Sequence, residues 1–327
     1  KIHYVITPIM KINDLATLGR FILSPECKSI TILSGAGISV ASGIPDFRSP
    51  GGMYETLRPE LITATKMQRR MMEIDPTSVV STEMFFQNAF PYLEVRRPFI
   101  LGVRDKIWKP TIAHHFARLL HENTGKLTRV YTQNIDGLTN AVGLPDDKIV
   151  SVHGTISKVA CENCGESMDF NVFCDEVEEN IKDIYNPENG PRESKPIRCS
   201  SCGKATVKPK TVLFGSSLPA EFFKLSAQDL PATDLLIVIG TSLVVGPANS
   251  LVYSVPQSTR RVVINNEPVG EELGIEYGPA AERDYFAQGK CDDVFLELIN
   301  ELGWNVEEIM DDLPEYSQNL IRMKGKK

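Results

Sequence analysis

Five short apolar stretches rich in β-branched residues recur along the chain, with helical segments between them. They cover 29–33, 129–132, 149–152, 235–239 and 261–264, and each is followed by polar residues or glycine. Runs this short and this apolar are typical of strands buried on both faces of a parallel sheet. We therefore predict an α/β fold whose sheet binds its ligand at the carboxyl ends of the strands.

Two segments carry the 3.6-residue period of a helix that packs on such a sheet. The first begins near Pro110, a residue suited to the first helical position, and is apolar at 112, 113, 116, 119 and 120. The second covers 293–302, and Gly303 is expected to end it. His114 and His115 lie on or beside the first apolar face, where we expect structural roles for both.

Two stretches interrupt this alternation and indicate insertions. Residues 53–109 have mixed helical patterning, whereas 158–208 are polar, turn-rich and contain most of the cysteines. We expect the insertions to form a small domain together, beside a large domain assembled from 1–52, 110–157 and 209–303. Residues 304–327 are expected to form a loosely held C-terminal tail.

Composition restricts the classes of partner. The chain has 327 residues, 42% of them hydrophobic, which is enough for a sizeable core. A net charge of −7 argues against holding nucleic acid by bulk electrostatics. No window approaches the roughly 18 to 20 apolar residues of a membrane span, so we expect no membrane partner. The odd number of cysteines favours a reducing compartment, the nucleus or cytoplasm ahead of the mitochondrion.

The most specific motif is a pair of Cys-x-x-Cys knuckles, Cys161 with Cys164 and Cys199 with Cys202. Four thiolates at this spacing suit the tetrahedral preference of zinc, and a glycine after each knuckle allows a tight turn. Four protein ligands leave no open coordination position, so the predicted zinc is structural. Cys174 lies outside both knuckles and is expected to take no part.

The first predicted strand ends in the glycine turn 35–39 (GAGIS), which resembles the opening of a nucleotide-binding βα unit. Val40 stands where the dinucleotide fingerprint has its third glycine. A purely structural turn is therefore the alternative. In the motif that follows, Arg48 is suited to reach a phosphate and Phe47 to shield a reactive centre from water.

Polar residues follow the other predicted strands. Gln133, Asn134 and Asp136 follow the second strand, and His153 follows the third. A histidine at that edge is a candidate general base for a hydroxyl proton, and a buried structural histidine is the alternative. The later strands are followed by candidates for phosphate, ribose and adenine contacts, namely Gly240, Thr241, Ser242, Asn265, Glu267 and Cys291.

In this order, the motifs resemble the sirtuin family of NAD-dependent protein-lysine deacylases over about residues 30–304. The resemblance implies a Rossmann-like large domain, a small domain of zinc ribbon and helical insertion, and the cofactors NAD and structural zinc. It implies that His153 deprotonates a ribose hydroxyl, while Asn134 and Asp136 orient the ribose and the nicotinamide amide. The products would be nicotinamide, O-acyl-ADP-ribose and free lysine.

The resemblance also assigns contacts. The implied cofactor contacts are Gly35, Ala36, Gly37, Ser39, Asp46, Phe47, Arg48, Gln133, Asn134, Asp136, Gly240, Thr241, Ser242, Asn265, Glu267 and Cys291. The implied peptide contacts are Val212, Phe214, Gly215, Ser216 and Val244, where substrate would add a β-strand. The family usually has glutamate where Ser216 stands, so we expect catalysis to persist with an altered peptide preference.

Two other functions fit parts of the pattern. A mono-ADP-ribosyltransferase would use the same NAD site with another acceptor, and a non-enzymatic binder would use the zinc ribbon alone. Acidic residues between Cys164 and Cys199 argue against nucleic-acid contact by that ribbon. The expected partners are acylated-lysine proteins or peptides, histone or non-histone, with no direct nucleic-acid binding.

Overall fold

The computed structural model of the chain describes residues 11–44, 52 and 54–324. Within these ranges the chain forms two sheets. Their strands are β1 (Ile30–Ser34), β2 (Leu127–Thr132), β3 (Ile149–Ser151), β4 (Gly154–Cys161), β5 (Ser167–Met168), β6 (Val207–Thr211), β7 (Leu235–Ile239), β8 (Arg260–Asn265) and β9 (Asp284–Gln288).

The larger sheet is parallel and has the order β3-β2-β1-β7-β8-β9. The chain moves outward from β1 through β2 to β3 and then returns to the other side of β1 for β7, β8 and β9. This reversal between β1 and β7 opens a crevice at the carboxyl ends of the strands, as in Rossmann-like sheets. The predicted α/β class is confirmed.

Helices cover both faces of the sheet and build the insertions. They are α1 (Leu15–Leu23), α2 (Lys66–Ile74), α3 (Thr82–Gln87), α4 (Phe90–Arg104), α5 (Ile112–Thr124), α6 (Leu138–Ala141), α7 (Phe170–Asn180), α8 (Ala220–Asp229), α9 (Leu251–Ser254), α10 (Cys291–Glu301) and α11 (Glu315–Lys324). None of these helices is long and apolar enough to cross a membrane.

The core lies on both faces of the sheet because its central strands alternate their apolar side chains. In β7, Leu235, Ile237 and Ile239 pack with α1, α5, α10 and α11, whereas Leu236 and Val238 pack with α8 and α9 on the opposite face. All five side chains are buried. Burial on both faces explains why the sequence shows a continuous apolar run there.

The five predicted strands are present, and β9 was missed. Its sequence, DYFAQ, has polar residues at both ends, and Asp284 at its start is the kind of residue that argues against a buried strand. In the structure, Arg261 of β8 donates to both oxygens of Asp284 at 2.6 and 2.5 Å. A charge at the edge of the sheet is therefore tolerated because it is paired.

Both predicted helices are present, and the first begins slightly later in the chain than predicted. α5 begins at Ile112 rather than near Pro110, because Thr111 is the N-cap and forms a capping box with His114. This contact gives His114 the expected structural role. His115 is also buried, and burial lowers the pKa of His115 to about 4. α10 ends before Gly303, whose φ of +69° is the left-handed conformation expected after a helix.

The insertions meet around a separate apolar core. It unites side chains of α2, α3, α4 and α7 with those of the small antiparallel sheet β5-β4-β6. The expected boundaries 157/158 and 208/209 fall inside β4 and β6, because the same strands leave the large domain and enter the zinc ribbon. The division into two domains stays a prediction.

The C-terminal segment differs from the expected loose tail. Ile309, Leu313, Leu320 and Ile321 are buried in the core beside α10. Hydrophobic positions spaced along α11 bury one face of the helix, so the chain is ordered up to Lys324.

We predict that Asp284→Asn lowers the free energy of unfolding by about 3–5 kcal/mol, because it leaves the Arg261 guanidinium buried without its charge partner. Both side chains are only 1% exposed. Urea unfolding monitored by circular dichroism measures the change. In the matched control, Glu73→Gln breaks an ion pair with Arg70 whose side chains are 71% and 52% exposed, and it should cost less than about 1 kcal/mol. Equal effects in the two variants would contradict the prediction.

Candidate active site

A cavity of about 960 Å³ runs along the carboxyl edge of the large sheet. Residues that follow each of the six strands line it, at 35–38, 133–135, 153, 240–242, 265–267 and 289–291. The opposite wall comes from the insertions, through Tyr92 and Arg96 of α4, and from the segment 211–216. The cavity therefore lies between the sheet and the small apolar core of the insertions.

Two glycine turns touch where the strand order reverses. Gly37 N donates to Gly240 O at 2.8 Å, and Gly35 N donates to Ile239 O at 2.9 Å. A Cβ on Gly37 would lie 2.7 Å from Gly240 Cα, and one on Gly35 would lie 2.6 Å from Thr241 Cβ. Both positions therefore require glycine, and the contact holds two turns together at the point where such sheets receive a pyrophosphate.

Asn134 is held by a buried polar network. Its Nδ2 donates to Gly35 O and to Ser39 Oγ, both at 3.1 Å. Ser39 Oγ donates to Asp136 Oδ2 at 2.7 Å, and Leu138 N donates to Asp136 Oδ1 at 2.9 Å. Asp136 thus orients Asn134 through Ser39, and the Asn134 amide is fixed at the cavity wall.

Among the described residues, the imidazole ring of His153 is positioned by one side-chain hydrogen bond. Its Nδ1 lies 3.0 Å from Gln133 O, and a carbonyl oxygen only accepts, so Nδ1 carries the proton. Nε2 then has the lone pair, and among the described residues it has no hydrogen-bond partner although it is buried. Gly154 follows at φ +75°, and a Cβ there would lie 1.9 Å from Lys210 O, so only glycine allows this turn.

Burial changes the acidity of both titratable groups at this end of the cavity. Burial lowers the pKa of His153 below 6.5, and the hydrogen bond to Gln133 O opposes that shift. Burial raises the pKa of Asp136 above 3.8, against the lowering effect of the Ser39 and Leu138 hydrogen bonds. Burial therefore favours the neutral form of His153, which is able to accept a proton.

The segment 211–216 is paired on one side with the helical insertion. Phe214 N donates to Val80 O at 3.0 Å, and Thr82 N donates to Phe214 O at 2.9 Å. Ser216 Oγ lies 2.8 Å from Thr82 Oγ1. Val212 N donates to His153 O at 2.9 Å, which connects this wall directly to the histidine.

Four cysteine sulfurs form a compact cluster. The Sγ atoms of Cys161 and Cys202 are 3.6 Å apart, as are those of Cys164 and Cys199, and all four lie within 4.8 Å of one another. A tetrahedral site with Zn–S bonds of about 2.3 Å requires S···S distances of roughly 3.8 Å. The donor set and its geometry therefore fit zinc.

Glycines shape both knuckles as predicted. Gly165 (φ +78°) and Gly203 (φ +71°) are left-handed, and their N–H groups donate to Cys161 O and Cys199 O. Cys174 is outside the cluster and buried, and burial raises the pKa of its thiol to about 11. The Cys174 side chain belongs to the apolar core of the insertions.

A buried lysine connects the zinc knuckle to the cavity wall. Lys208 Nζ lies 3.0 Å from the Glu162 carboxylate and donates to Thr211 O at 2.7 Å. Thr211 Oγ1 lies 2.7 Å from Tyr92 Oη. Burial lowers the pKa of Lys208, while Glu162 opposes the shift. The knuckle, β6 and α4 are thus joined next to the cavity.

Comparison with known proteins identifies the family. The sequence model of the Sir2 family matches residues 35–247. The Danio rerio protein NAD-dependent protein deacetylase sirtuin-2 is 33% identical over 344 residues, which cover 98% of this chain and 81% of the relative. The chain belongs to the Sir2 family.

Other Sir2 relatives agree with this assignment. The Mus musculus protein NAD-dependent protein deacetylase sirtuin-3 is 34% identical over 306 residues, covering 92% of this chain and 78% of the relative. The Dictyostelium discoideum protein NAD-dependent deacetylase sir2C is 35% identical over 303 residues, covering 90% of this chain and 61% of the relative. The chain therefore spans about four fifths of the first two relatives and about three fifths of the third.

The cavity of this Sir2 chain brings together most of the residues that the sequence suggested. Ser39 and Asp136 are exceptions, because they lie behind Asn134 and are not part of the lining, and Val244 is 62% exposed outside it. Asp46, Phe47 and Arg48 lie outside the described residues. The predicted residues in the lining are Gly35, Ala36, Gly37, Gln133, Asn134, His153, Val212, Phe214, Gly215, Ser216, Gly240, Thr241, Ser242, Asn265, Glu267 and Cys291.

Several lining residues carried no motif in the sequence. Tyr92 and Arg96 are one turn apart on α4, but the spacing does not show that this side of the helix forms the cavity wall. Lys290 precedes Cys291, and this adjacency is the only signal in the sequence that Lys290 lines the cavity. Tyr316 comes from the segment expected to be a loose tail.

We predict that the double variant Cys161→Ser/Cys164→Ser loses its zinc and that its small domain unfolds, because metal binding and folding are coupled at four-thiolate sites. Elemental analysis measures the zinc content, and thermal denaturation measures stability. Cys174→Ala is the matched control, since it removes a buried thiol of the same domain and should retain one zinc ion per chain. An unchanged melting temperature of the double variant would contradict a structural role for the metal.

Proposed function

We propose that the chain is a NAD-dependent protein-lysine deacetylase, or deacylase. The observation that carries this proposal is His153, whose tautomer leaves an unprotonated Nε2 in a cavity at the carboxyl edge of a Rossmann-like sheet. The family supports it, because the relatives above are named NAD-dependent protein deacetylases.

The proposed cofactor site follows the edge of the sheet. The touching turns of Gly35, Gly37 and Gly240 would hold the diphosphate, and Asn265 with Glu267 would hold the ribose of the adenosine half. Asn134 would orient the nicotinamide half, with Asp136 acting on it through Ser39. When bound, NAD supplies the ADP-ribosyl group that takes the acyl group, with nicotinamide as the leaving group.

In this proposal the chain itself performs one proton transfer. His153 Nε2 accepts the proton of a ribose hydroxyl, while Gln133 O accepts the hydrogen bond from Nδ1–H and thereby stabilises the imidazolium that forms. Because burial lowers the pKa of His153, the ring favours the neutral form that can act as a base. The walls formed by α4 and by 211–216 would limit the access of water to the end of the cavity that contains His153.

The proposed substrate is an acylated lysine in an extended peptide. The side of 211–216 that faces away from Val80 and Thr82, and the turn 242–246, would each bind its main chain, as in β-strand addition. Ser216 offers a hydroxyl, already close to Thr82, where relatives in the family usually have a carboxylate. A basic residue of the peptide would therefore gain less binding energy at this position than it does in those relatives.

A mono-ADP-ribosyltransferase would use the same cavity, and one assay separates the two activities. A panel of acetyl-, longer neutral acyl- and carboxylate-bearing acyl-lysine peptides is incubated with NAD and scored by mass spectrometry. A deacylase forms free lysine and acyl-ADP-ribose in equal amounts, and the panel ranks the acyl groups. A transferase labels protein with ADP-ribose whether or not the lysine is acylated. None of the seven cysteines, all of which lie within the described residues, is in a disulfide, and this favours a reducing compartment, for which we propose the nucleus or cytoplasm.

We predict that His153→Ala lowers turnover of an acetylated peptide by about a hundredfold to ten-thousandfold, because it removes the general base. ADP-ribose binding, measured by calorimetry, should remain. His121→Ala is the control, since His121 lies on α5 outside the cavity lining and should leave turnover unchanged. Near-normal product formation by His153→Ala would refute the assignment of the base.

The pH profile gives a second test of His153. The base is active only when neutral, and burial lowers its pKa, so activity is lost as the pH falls through a value below 6.5. We predict that the acidic limb of kcat/KM has its midpoint below pH 6.5. A midpoint at or above the ordinary histidine value would contradict the lowered pKa of His153.

A further inference from the structure

The C-terminal helix contributes a side chain to the cavity. Tyr316, in the first turn of α11, is part of the lining, together with Lys290 and Cys291 at the start of α10. Lys290 Nζ lies 5.5 Å from the centre of the Tyr316 ring and 3.5 Å from its hydroxyl. Tyr316 is also 43% exposed, so part of its ring surface is available to a ligand.

α11 is held in place by a buried hydrogen bond. Ser317 Oγ donates to Asp292 Oδ2 at 2.5 Å, and Asp292 Oδ1 accepts from Ala113 N at 3.1 Å. One carboxylate therefore connects the starts of α5 and α10 with α11. Leu320 and Ile321 are buried in the core one turn later. Tyr316 consequently has a defined position instead of belonging to a mobile end.

The position of Tyr316 along the sheet edge indicates which half of a dinucleotide it meets. Lys290 follows β9, the outermost strand on one side, whereas His153 follows β3, the outermost strand on the other. Five strand intervals of roughly 4.8 Å separate these ends of the sheet, about 24 Å in total. Asn265 and Glu267 follow β8, next to the Lys290 end. If His153 meets the ribose that bears nicotinamide, Tyr316 lies at the adenosine end.

We propose that Tyr316 contacts the adenosine half of NAD, with its ring placed by Lys290. This inference rests on the proposed function, since it takes NAD as the ligand. An aromatic ring offers an adenine base a flat apolar surface, and stacking of bases on such rings contributes measurably to binding. The Lys290 ammonium lies 5.5 Å from the centre of the Tyr316 ring and helps to fix the ring at this end.

The test uses ADP-ribose, which contains the adenosine half and undergoes no reaction. Tyr316→Leu removes the ring but keeps an apolar side chain, and calorimetry should show about tenfold weaker ADP-ribose binding. Tyr316→Phe keeps the ring and should bind within about twofold of the original chain. In steady-state assays, Tyr316→Leu should raise KM for NAD while kcat and the KM of the peptide stay unchanged, because only uniform cofactor binding is lost.

Tyr253→Leu is the matched control. Tyr253 is 58% exposed on α9 and is absent from the cavity lining, so its replacement should not change ADP-ribose binding. Melting temperatures show whether each variant is folded. If Tyr316→Leu is unstable, Tyr316→Phe is compared with the original chain instead. A tenfold loss of ADP-ribose binding in Tyr316→Phe would also count against a ring contact, because this variant keeps the ring. Unchanged or tighter ADP-ribose binding by folded Tyr316→Leu would overturn the inference. Failure of the original chain to bind ADP-ribose would instead refute the proposed function.

Discussion

The cavity depends on the close approach of two backbone turns at the reversal of the strand order. Gly35 and Gly37 after β1 contact Gly240 and Thr241 after β7, at distances that leave no room for a Cβ. The turns sit on strands that are hydrogen-bonded over their full length, from Ile30 opposite Leu235 to the carboxyl edge. The sheet therefore holds the two glycine turns in a fixed position relative to each other. Asn134 is also bonded to this point, through Gly35 O, so the side chain proposed to orient the nicotinamide half is held from the same place.

A second constraint connects the zinc ribbon to the cavity. Lys208 is buried between the Glu162 carboxylate of the first knuckle and the carbonyl of Thr211, and Thr211 meets Tyr92 of the helical insertion. A buried charge is tolerated only if its partners stay in place. Displacement of the knuckle would therefore disturb the wall where the peptide is proposed to bind. In this way a metal with no open coordination position still supports the geometry of the site.

The central sheet and the strand-end residues could be predicted from the sequence because both depend on local patterns. Continuous apolar runs mark strands covered on both faces, and polar residues directly after them must lie at one edge of a parallel sheet. The pattern fails where a residue is explained only by a distant partner. Asp284 is tolerated in a strand because Arg261 pairs with it, and the start of α11 is bonded to α10 through Ser317 and Asp292. The role of Ser39 between Asn134 and Asp136 is likewise a tertiary contact without a local signal.

The order of strands also affects how the chain reaches its folded state during synthesis. β1 lies between β2 and β7, and β7 is about two hundred residues later in the chain. Until β7 has left the ribosome, one edge of β1, whose residues are all buried in the folded chain, has no partner, and such edges promote aggregation of nascent chains. The last elements, α10 and α11, then complete the carboxylate contact with α5. The emerging protein is therefore expected to need protection of β1 until β7 has been made.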